Sequence, residues 1–443
     1  MLVEPWLARA ARTQPQRVAI DSPGRSLTYE QLLVAAAAAG GALRSRGVGP
    51  GDRVAIALPA GADFAVALHG CLLCGAVAVP VDLRLGRGER EAITAETVAL
   101  VDEPLVAGNG SSLGAAERAW PQHDLDAAAA VIHTSGTSGA PRAITLTYGN
   151  WLWSALGSAT ALGVDPEERW LCALPVAHVG GLSILVRSAI YGTTALLHER
   201  FETAAVLETI MRAPGATLVS LVPTTLARLL DAGLADPPSL RGALIGGGPV
   251  AAALLERARA AGVGVSQTYG LTEACSQVTT EPLAESGTAT AGPPLFCTRV
   301  RVADDGEILV HGPTVAPAAL AADGWLHTGD VGELVDGRLR VTGRRADTIV
   351  TGGENVAPAE VEAVLAEHEG VLEVAVIGRP DPEWGEAVCA IVVTRDGAGV
   401  DAEDLRRHCA ARLASFKIPK TFELRDAPLP RTRSGKLLRR ELR

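Results

Sequence analysis

Short runs rich in β-branched residues alternate with longer helix-like segments along most of this chain. That alternation restricts the fold more than any other feature. "RVAI" and "DRVAIALP" read as strands, separated by "GRSLTYEQLLVAAAAAGGALRSRG", a turn followed by a helix entered near Thr28. "ADFAVALHGCLLCGA" reads as the next helix and "VAVPVD" as the next strand. The rhythm resumes in "TALLHE", "AAVLETIMRA", "TLVSLVP", "TTLARLLDAGL", "GALIGGG", "PVAAALLERARAAG" and "VSQTYG". Strands joined by helical crossovers predict an α/β fold. From about Thr298 the pattern changes to short strands and turns, a small β-rich section. Beyond "GRRADTIVTGGENV" the last stretch, about 95 residues, reads as a compact α+β unit. The expected division is a large N-terminal domain over 1–342, made of α/β subdomains plus a small β-rich subdomain, a boundary at 343–347, and a small C-terminal domain over 348–443.

Bulk properties exclude several classes. A chain of 443 residues, 48% apolar and 20% charged, has ample core and is globular in composition. A net charge of −10 gives no global basic field for nucleic acid or an anionic membrane. The N-terminal "MLVEPWLARAARTQPQ" lacks the basic-then-apolar design of a secretion signal. The longest apolar stretch, Phe64 to Val81, is interrupted by His69, Gly70, Gly75 and Pro80, so a buried helix and a buried strand are expected there, not a membrane span. The expectation is a soluble, cytoplasmic protein without stable membrane insertion. Cys71 and Cys74 form a CxxC inside that apolar run with no second pair, which favours small core residues over a metal or redox site.

The stretch "HTSGTSGAPRAITLTYGN", His133 to Asn150, stands apart. "DLDAAAAVIH" leads into it as a strand and "AITLT" leaves it as another, and Asn150 is expected to cap the helix "WLWSALGSATAL". Strand–loop–strand is not the strand–loop–helix of a Walker P-loop. Its glycines could still form a backbone nest for phosphate, with donors from Thr134, Ser135, Thr137 and Ser138 and positive charge from Arg142. A flexible hairpin is the alternative on these residues alone.

Six stretches, in order, resemble the signatures of the adenylate-forming superfamily of acyl-CoA synthetases, adenylation domains and luciferases. "TSGTSGAPR" resembles its phosphate loop, "LPVAHVGG" (Leu174–Gly181) its substrate-side motif and "YGLTE" (Tyr269–Glu273) its adenine and metal motif. "GWLHTGD" (Gly324–Asp330) resembles its ribose motif, "GRRADTIVTGGENVAPAEVE" (Gly343–Glu362) its hinge, and "PRTRSGKLLRREL" (Pro430–Leu442) its catalytic-lysine tail. The resemblance spans the chain and implies a carboxylate attacking the α-phosphate of ATP. It implies that Thr134, Ser135, Gly136, Thr137, Ser138, Gly139 and Arg142 hold phosphate, and that Thr272 joins them. Glu273, with Thr137, would hold Mg²⁺, because a hard cation wants oxygen ligands. Tyr269 would offer its face to adenine, and Asp330, approached by Arg344, would accept from the ribose hydroxyls. On residue type alone, Tyr269 could instead be core, Glu273 a helix-start charge and Asp330 a turn residue.

Only three of the 40 basic residues are lysines: Lys417, Lys420 and Lys436. A lysine within Ser-Gly-Lys therefore suggests a need for a slender ammonium, against the alternative of a solvated basic tail. The resemblance implies that Lys436 bridges the attacking carboxylate and the α-phosphate. Arg142 stands where the family's loop usually ends in lysine; charge is kept and reach is altered. Lys417 is given no catalytic role.

The resemblance further implies a C-terminal domain that is mobile about a hinge at Arg345, Ala346 and Asp347. After adenylation it would present "TGGENV", whose Gly352 and Gly353 let the backbone pass close to the pantetheine arm of CoA. Products would be an acyl-CoA, AMP and pyrophosphate. "LPVAHVGGLSILVRSAIYGTTALLHERF" and "YGLTEACSQVTT" resemble, within the superfamily, the o-succinylbenzoate–CoA ligase family of menaquinone synthesis. Arg187 lies in an apolar run, where an arginine is costly unless paired. It is either a structural ion pair, an arginine at a helix end, or the group that meets the second, non-reacting carboxylate of the acid. His178 would line the acid pocket, or pack in the core. The expected small molecules are thus a carboxylic acid, ATP with Mg²⁺, and CoA. Another small aryl- or acyl-CoA synthetase and a catalytically silent nucleotide-binding relative are the alternatives, and a homodimer is left open.

Overall fold

The computed structural model describes the chain except for residues 106–121, 136–140, 286, 352–353, 383, 396, 398, 432–436 and 443. Contacts divide it into two units. The first holds Met1–Gly247, Ala258–Val300 and Val310–Leu326; the second holds Gly248–Arg257, Arg301–Leu309 and His327–Arg443.

The first unit is built on two large sheets, with Leu2–Val3 and His123–Asp124 forming a small separate pair. In the larger, strands lie in the order Ser276–Thr280, Val265–Leu271, Gly242–Ile245, Leu218–Leu221, Arg169–Cys172, Thr194–Leu197, Val18–Ser22 and Arg25–Thr28. Its six middle strands pair in parallel and both edge strands are antiparallel. The parallel strands Leu218–Leu221 and Gly242–Ile245 are buried at every residue, as expected when helices cover both faces. The second sheet runs Ala99–Val101, Arg53–Ile56, Val77–Pro80, Ala128–Ser135 and Pro141–Thr147.

Local chemistry accounts for the helices. Thr28 caps the helix Tyr29–Ser45 through a box closed by Gln31, where the sequence placed the helix start. The run Phe64–Val81 divides as expected into the buried helix Ala62–Cys74, a left-handed Gly75, and the buried strand Val77–Pro80. These two helices approach closely at Gly40 and Gly70, where a Cβ on Gly70 would lie 2.9 Å from the Ala39 side chain. Cys71 and Cys74 are core residues, and all seven thiols are free. Among the described residues, no helix is long and apolar enough to cross a membrane.

One cap differs from expectation. The helix after the loop spans Tyr148–Leu162 and its cap is Thr147; Asn150 lies inside it. Asn150 closes the capping box, its Oδ1 accepting from the Thr147 N–H at 2.8 Å. Its Nδ2 donates to the carbonyls of Pro313 and Val315, so a tertiary contact takes the side chain that a local reading assigns to the cap.

The second unit takes up, from His327 on, a hairpin of Leu326–Val335 and Arg338–Arg344, which precedes the short turn Arg345–Asp347. A five-stranded sheet follows, in which the long edge strand Val371–Asp381 pairs antiparallel with the comparably long Gly385–Thr394. Its core gathers Ile349, Val361, Leu365, Val376, Val388 and Leu405.

Candidate active site

In the first unit, the strands Ala128–Ser135 and Pro141–Thr147 form an antiparallel hairpin in which Thr134 faces Arg142. The strand–loop–strand reading is therefore correct. The Thr134 Oγ1 donates to the Arg142 carbonyl at 3.4 Å. Gly136, Thr137, Ser138 and Gly139 lie outside the described residues, as does the side chain of Ser135.

Tyr269 lies near the end of the strand Val265–Leu271 and is buried, while Thr272, Glu273 and Ala274 form a single tight turn beyond the strand. A bulge between Tyr269 and Gly270 redirects the strand. Only glycine fits at 270, because a Cβ there would lie 1.7 Å from the Ser276 carbonyl oxygen. The Glu273 backbone is anchored by the Ala316 N–H at 2.7 Å. Its carboxylate lies 3.7 Å from the Arg142 guanidinium, so the fold brings together two residues that are 131 positions apart (273 − 142). The pair is half open, with side-chain exposures of 61% for Arg142 and 19% for Glu273. No cluster of three or more metal-ligating side chains exists among the described residues. One carboxylate fits Mg²⁺ arriving on ATP, since that ion is usually held by one or two carboxylates plus substrate phosphates.

His178 caps the helix Val179–Tyr191 through its backbone, leaving the imidazole for other partners. Its Nε2 lies 3.0 Å from Arg84 Nη2 and 3.4 Å from Asp82 Oδ2. Arg84 also donates to both oxygens of Asp82, at 2.8 and 2.6 Å. Burial works to raise the Asp82 carboxyl, but the bonds from Arg84 and His178 outweigh it and hold the group well below the usual carboxylate range. Asp82 and Arg84 carry no motif in the sequence; "VPVDLR" reads only as a strand end.

Arg187 is 2% exposed. Its Nη2 donates to Ser154 Oγ at 3.0 Å, and its guanidinium lies 5.6 Å from the Trp170 ring centroid. Its Nε has no hydrogen-bond partner, and no ion pair reaches it among the described residues. Burial pushes its pKa down, opposed only by Tyr191 and Cys275, neither of them acidic at neutral pH. Arg187 is thus not a structural ion pair among these residues. Nor is it at a helix end, because the last turn of Val179–Tyr191 holds no basic residue.

In the second unit, Asp330 and Arg344 face each other across the hairpin. The Arg344 Nε donates to Asp330 Oδ1 at 2.8 Å, and the Asp330 side chain is 9% exposed. Arg345 pairs with Asp305 at 2.9 Å and Asp347 with Arg439 at 3.4 Å, so both ends of this turn are tied to neighbours by charge. The Ala346 side chain, Gly352, Gly353 and Lys436 lie outside the described residues. Lys417 is taken by Glu360 at 2.6 Å, an ion pair that suits a structural lysine.

Known proteins match both parts of the chain. The AMP-binding enzyme family matches residues 7–318, and the AMP-binding enzyme C-terminal domain matches residues 360–436. The 2-succinylbenzoate–CoA ligase of Bacillus licheniformis is 38% identical over 99% of this chain and 98% of its own length. The Listeria monocytogenes protein of that name is 35% identical over 99% and 98%. The solved o-succinylbenzoate CoA synthetase from Bacillus subtilis, in complex with the acyl-adenylate intermediate OSB-AMP, matches with a TM-score of 0.89. That structure is 36% identical over 100% of this chain and 98% of its own. The same enzyme with ATP and magnesium ion also gives 0.89, at 36% identity over 100% of both chains. The expected architecture, a mixed α/β chain with a large N-terminal and a small C-terminal domain, is the one these structures have.

Proposed function

Because the chain belongs to the AMP-binding enzyme family, we propose that it is an AMP-forming ligase joining 2-succinylbenzoate to CoA, a step of menaquinone biosynthesis. In the first half-reaction a carboxylate oxygen of the acid attacks the α-phosphorus of ATP. The bond to the β-phosphate bridging oxygen breaks, giving the acyl adenylate and pyrophosphate. In the second, the CoA sulfur attacks the acyl carbon and gives up its proton. AMP leaves with the bonding electron pair, and the thioester remains.

The barrier of the first step is electrostatic, so the groups that matter place charge and donors around phosphate. Arg142 and the hydroxyls of Thr134, Ser135, Thr137, Ser138 and Thr272 hold the phosphates, with Gly136 and Gly139 freeing backbone donors. Glu273 and Thr137 would hold Mg²⁺, whose charge would offset that of the phosphates. Tyr269 packs on adenine; Asp330 accepts from ribose while Arg344 orients it. Lys436 carries its ammonium to the attacking carboxylate. Gly352 and Gly353 pass the pantetheine arm, and Arg345, Ala346 and Asp347 form the hinge between domains 1–342 and 348–443. His178, held beside Asp82 and Arg84, lines the acid pocket.

The choice of acid draws on one observation: Arg187 is a buried guanidinium with an unused Nε and no carboxylate partner among the described residues. A charge left in that state is costly, and a second carboxylate on the substrate would offset the cost. A fatty acid would not. ATP and CoA are cytoplasmic substrates, which supports a cytoplasmic location, and the net charge of −10 argues against nucleic acid as a partner.

The test is a competition. Purified protein would receive ATP, Mg²⁺, CoA and a mixture of 2-succinylbenzoate, benzoate, octanoate and acetate, with products read by mass spectrometry. A dominant 2-succinylbenzoyl-CoA with AMP is expected. Another thioester would overturn the choice of acid, and no thioester or adenylate would overturn the reaction.

A further inference from the structure

Ser154 lies on the helix Tyr148–Leu162, 1% exposed, and no sequence motif marks it. Its hydroxyl stands between two elements of the first unit. Arg187 Nη2 donates to Ser154 Oγ at 3.0 Å, and Ser154 Oγ donates to the Cys275 carbonyl at 2.6 Å. The direction of this chain is fixed. A guanidinium has no acceptor and a carbonyl has no donor, so the serine hydrogen can only point at Cys275.

The carbonyl it holds belongs to a strained turn. Cys275 has φ 52° and Ser276 has φ 92°, two successive residues with side chains in the left-handed region. Non-glycine residues rarely adopt that region, and a pair persists only when surrounding contacts enforce it. This turn directly follows Thr272, Glu273 and Ala274. Ser154 therefore joins the buried arginine to the backbone that carries Glu273. It also claims one Nη2 proton of Arg187, while the Nε proton remains without a partner.

We propose that Ser154 is a specificity-determining positioning residue. It holds Arg187 in the orientation that receives the remote carboxylate of the acid, and it couples that recognition to the Glu273 turn. The proposal rests on the dicarboxylic substrate inferred above.

The experiment measures kcat and KM for wild type, Ser154→Ala and the near-isosteric Ser154→Cys. The acids are 2-succinylbenzoate and its monocarboxylate analogues 4-oxo-4-phenylbutanoate and 2-butanoylbenzoate, whichever of the two is activated. A hydrogen bond to a charged group sets the scale: preference for the dicarboxylate, as a ratio of kcat/KM, should fall about tenfold or more in both variants. The fall should come mainly from KM for the dicarboxylate, with KM for the analogue changing less. A merely structural serine would lower activity toward both acids alike and leave the ratio intact, and that result would overturn the proposal. Should the alanine variant not fold, the cysteine variant decides the question in the same way. Failure of the underlying reading shows in the wild type alone, as absent 2-succinylbenzoyl-CoA or absent preference for the second carboxylate, and would remove the proposal with it.

Discussion

Replacing Arg187 with methionine separates a structural arginine from a substrate-binding one, because the two roles predict opposite balances of stability and activity. Methionine keeps much of the length and removes the charge. Two stabilising contacts are lost and one cost is removed. The bond from Nη2 to Ser154 is lost, worth about 1.5–3 kcal/mol for a charged donor. The contact with the Trp170 face is lost, worth about 0.5–2 kcal/mol. Against these, a buried guanidinium without a carboxylate among the described residues is removed. Replacing buried charge by apolar volume is often neutral or favourable by about 1–4 kcal/mol. The terms nearly cancel, so the variant should melt within a few degrees of wild type. Breaking a structural ion pair would instead cost about 3–5 kcal/mol. Activity should move far more. Losing one partner of a buried charge pair with the substrate costs about 2–4 kcal/mol, or roughly 30- to 1000-fold in kcat/KM for 2-succinylbenzoate. The monocarboxylate analogue should be nearly unaffected. Thermal shift and steady-state kinetics on the same preparation give both numbers. A variant that melts far below wild type and loses both acids equally would refute the reasoning.

Lys436→Ala should lower adenylate formation by about 10²–10³-fold in a pyrophosphate-exchange assay, the scale for one preorganised donor; unchanged exchange would remove the lysine from the first half-reaction. Glu273→Gln should raise the Mg²⁺ concentration for half-maximal rate by about tenfold or more with little change in the KM of the acid, and an unaltered Mg²⁺ dependence would count against a metal role. His69 is buried at 3% exposure and burial pushes its pKa down to about 4. The unfolded chain then binds the proton first, so this residue costs stability as pH falls from about 6.5 towards 4, reaching about 3 kcal/mol. His69→Gln should flatten that part of the denaturation profile, and an unchanged acid limb would refute it.

The parts of the fold that were legible are those written in short windows. Alternating apolar runs and turn residues located many of the strands and helices, because burial on both faces demands continuous apolar strands; the strands Arg169–Cys172, Ala99–Val101 and Ser276–Thr280 went unread, and Arg25–Thr28, read as a turn, is an edge strand. Thr28 marked its helix start, since a capping box is a property of four residues. Asn150 shows the limit of such windows: the residue closes the capping box as anticipated in kind, but its position and its second set of bonds depend on Pro313 and Val315. In the site, Arg142, Tyr269, Thr272, Glu273, Asp330 and Arg344 were nameable because each sits in a recognisable stretch. Asp82, Arg84 and Ser154 sit in none.

Sequence alone thus determined the class of fold, the alternation of many of its elements and the chemical types gathered for an adenylation reaction, because each is encoded by neighbours along the chain. Tertiary structure decided which of those residues meet. Arg142 comes to Glu273, Asp82 to His178, and Arg187 through Ser154 to Cys275. The order of strands in a sheet and the packing of helices set those distances. It also decided that Arg187 is buried without a carboxylate among the described residues, a property of everything packed around it and of no local pattern.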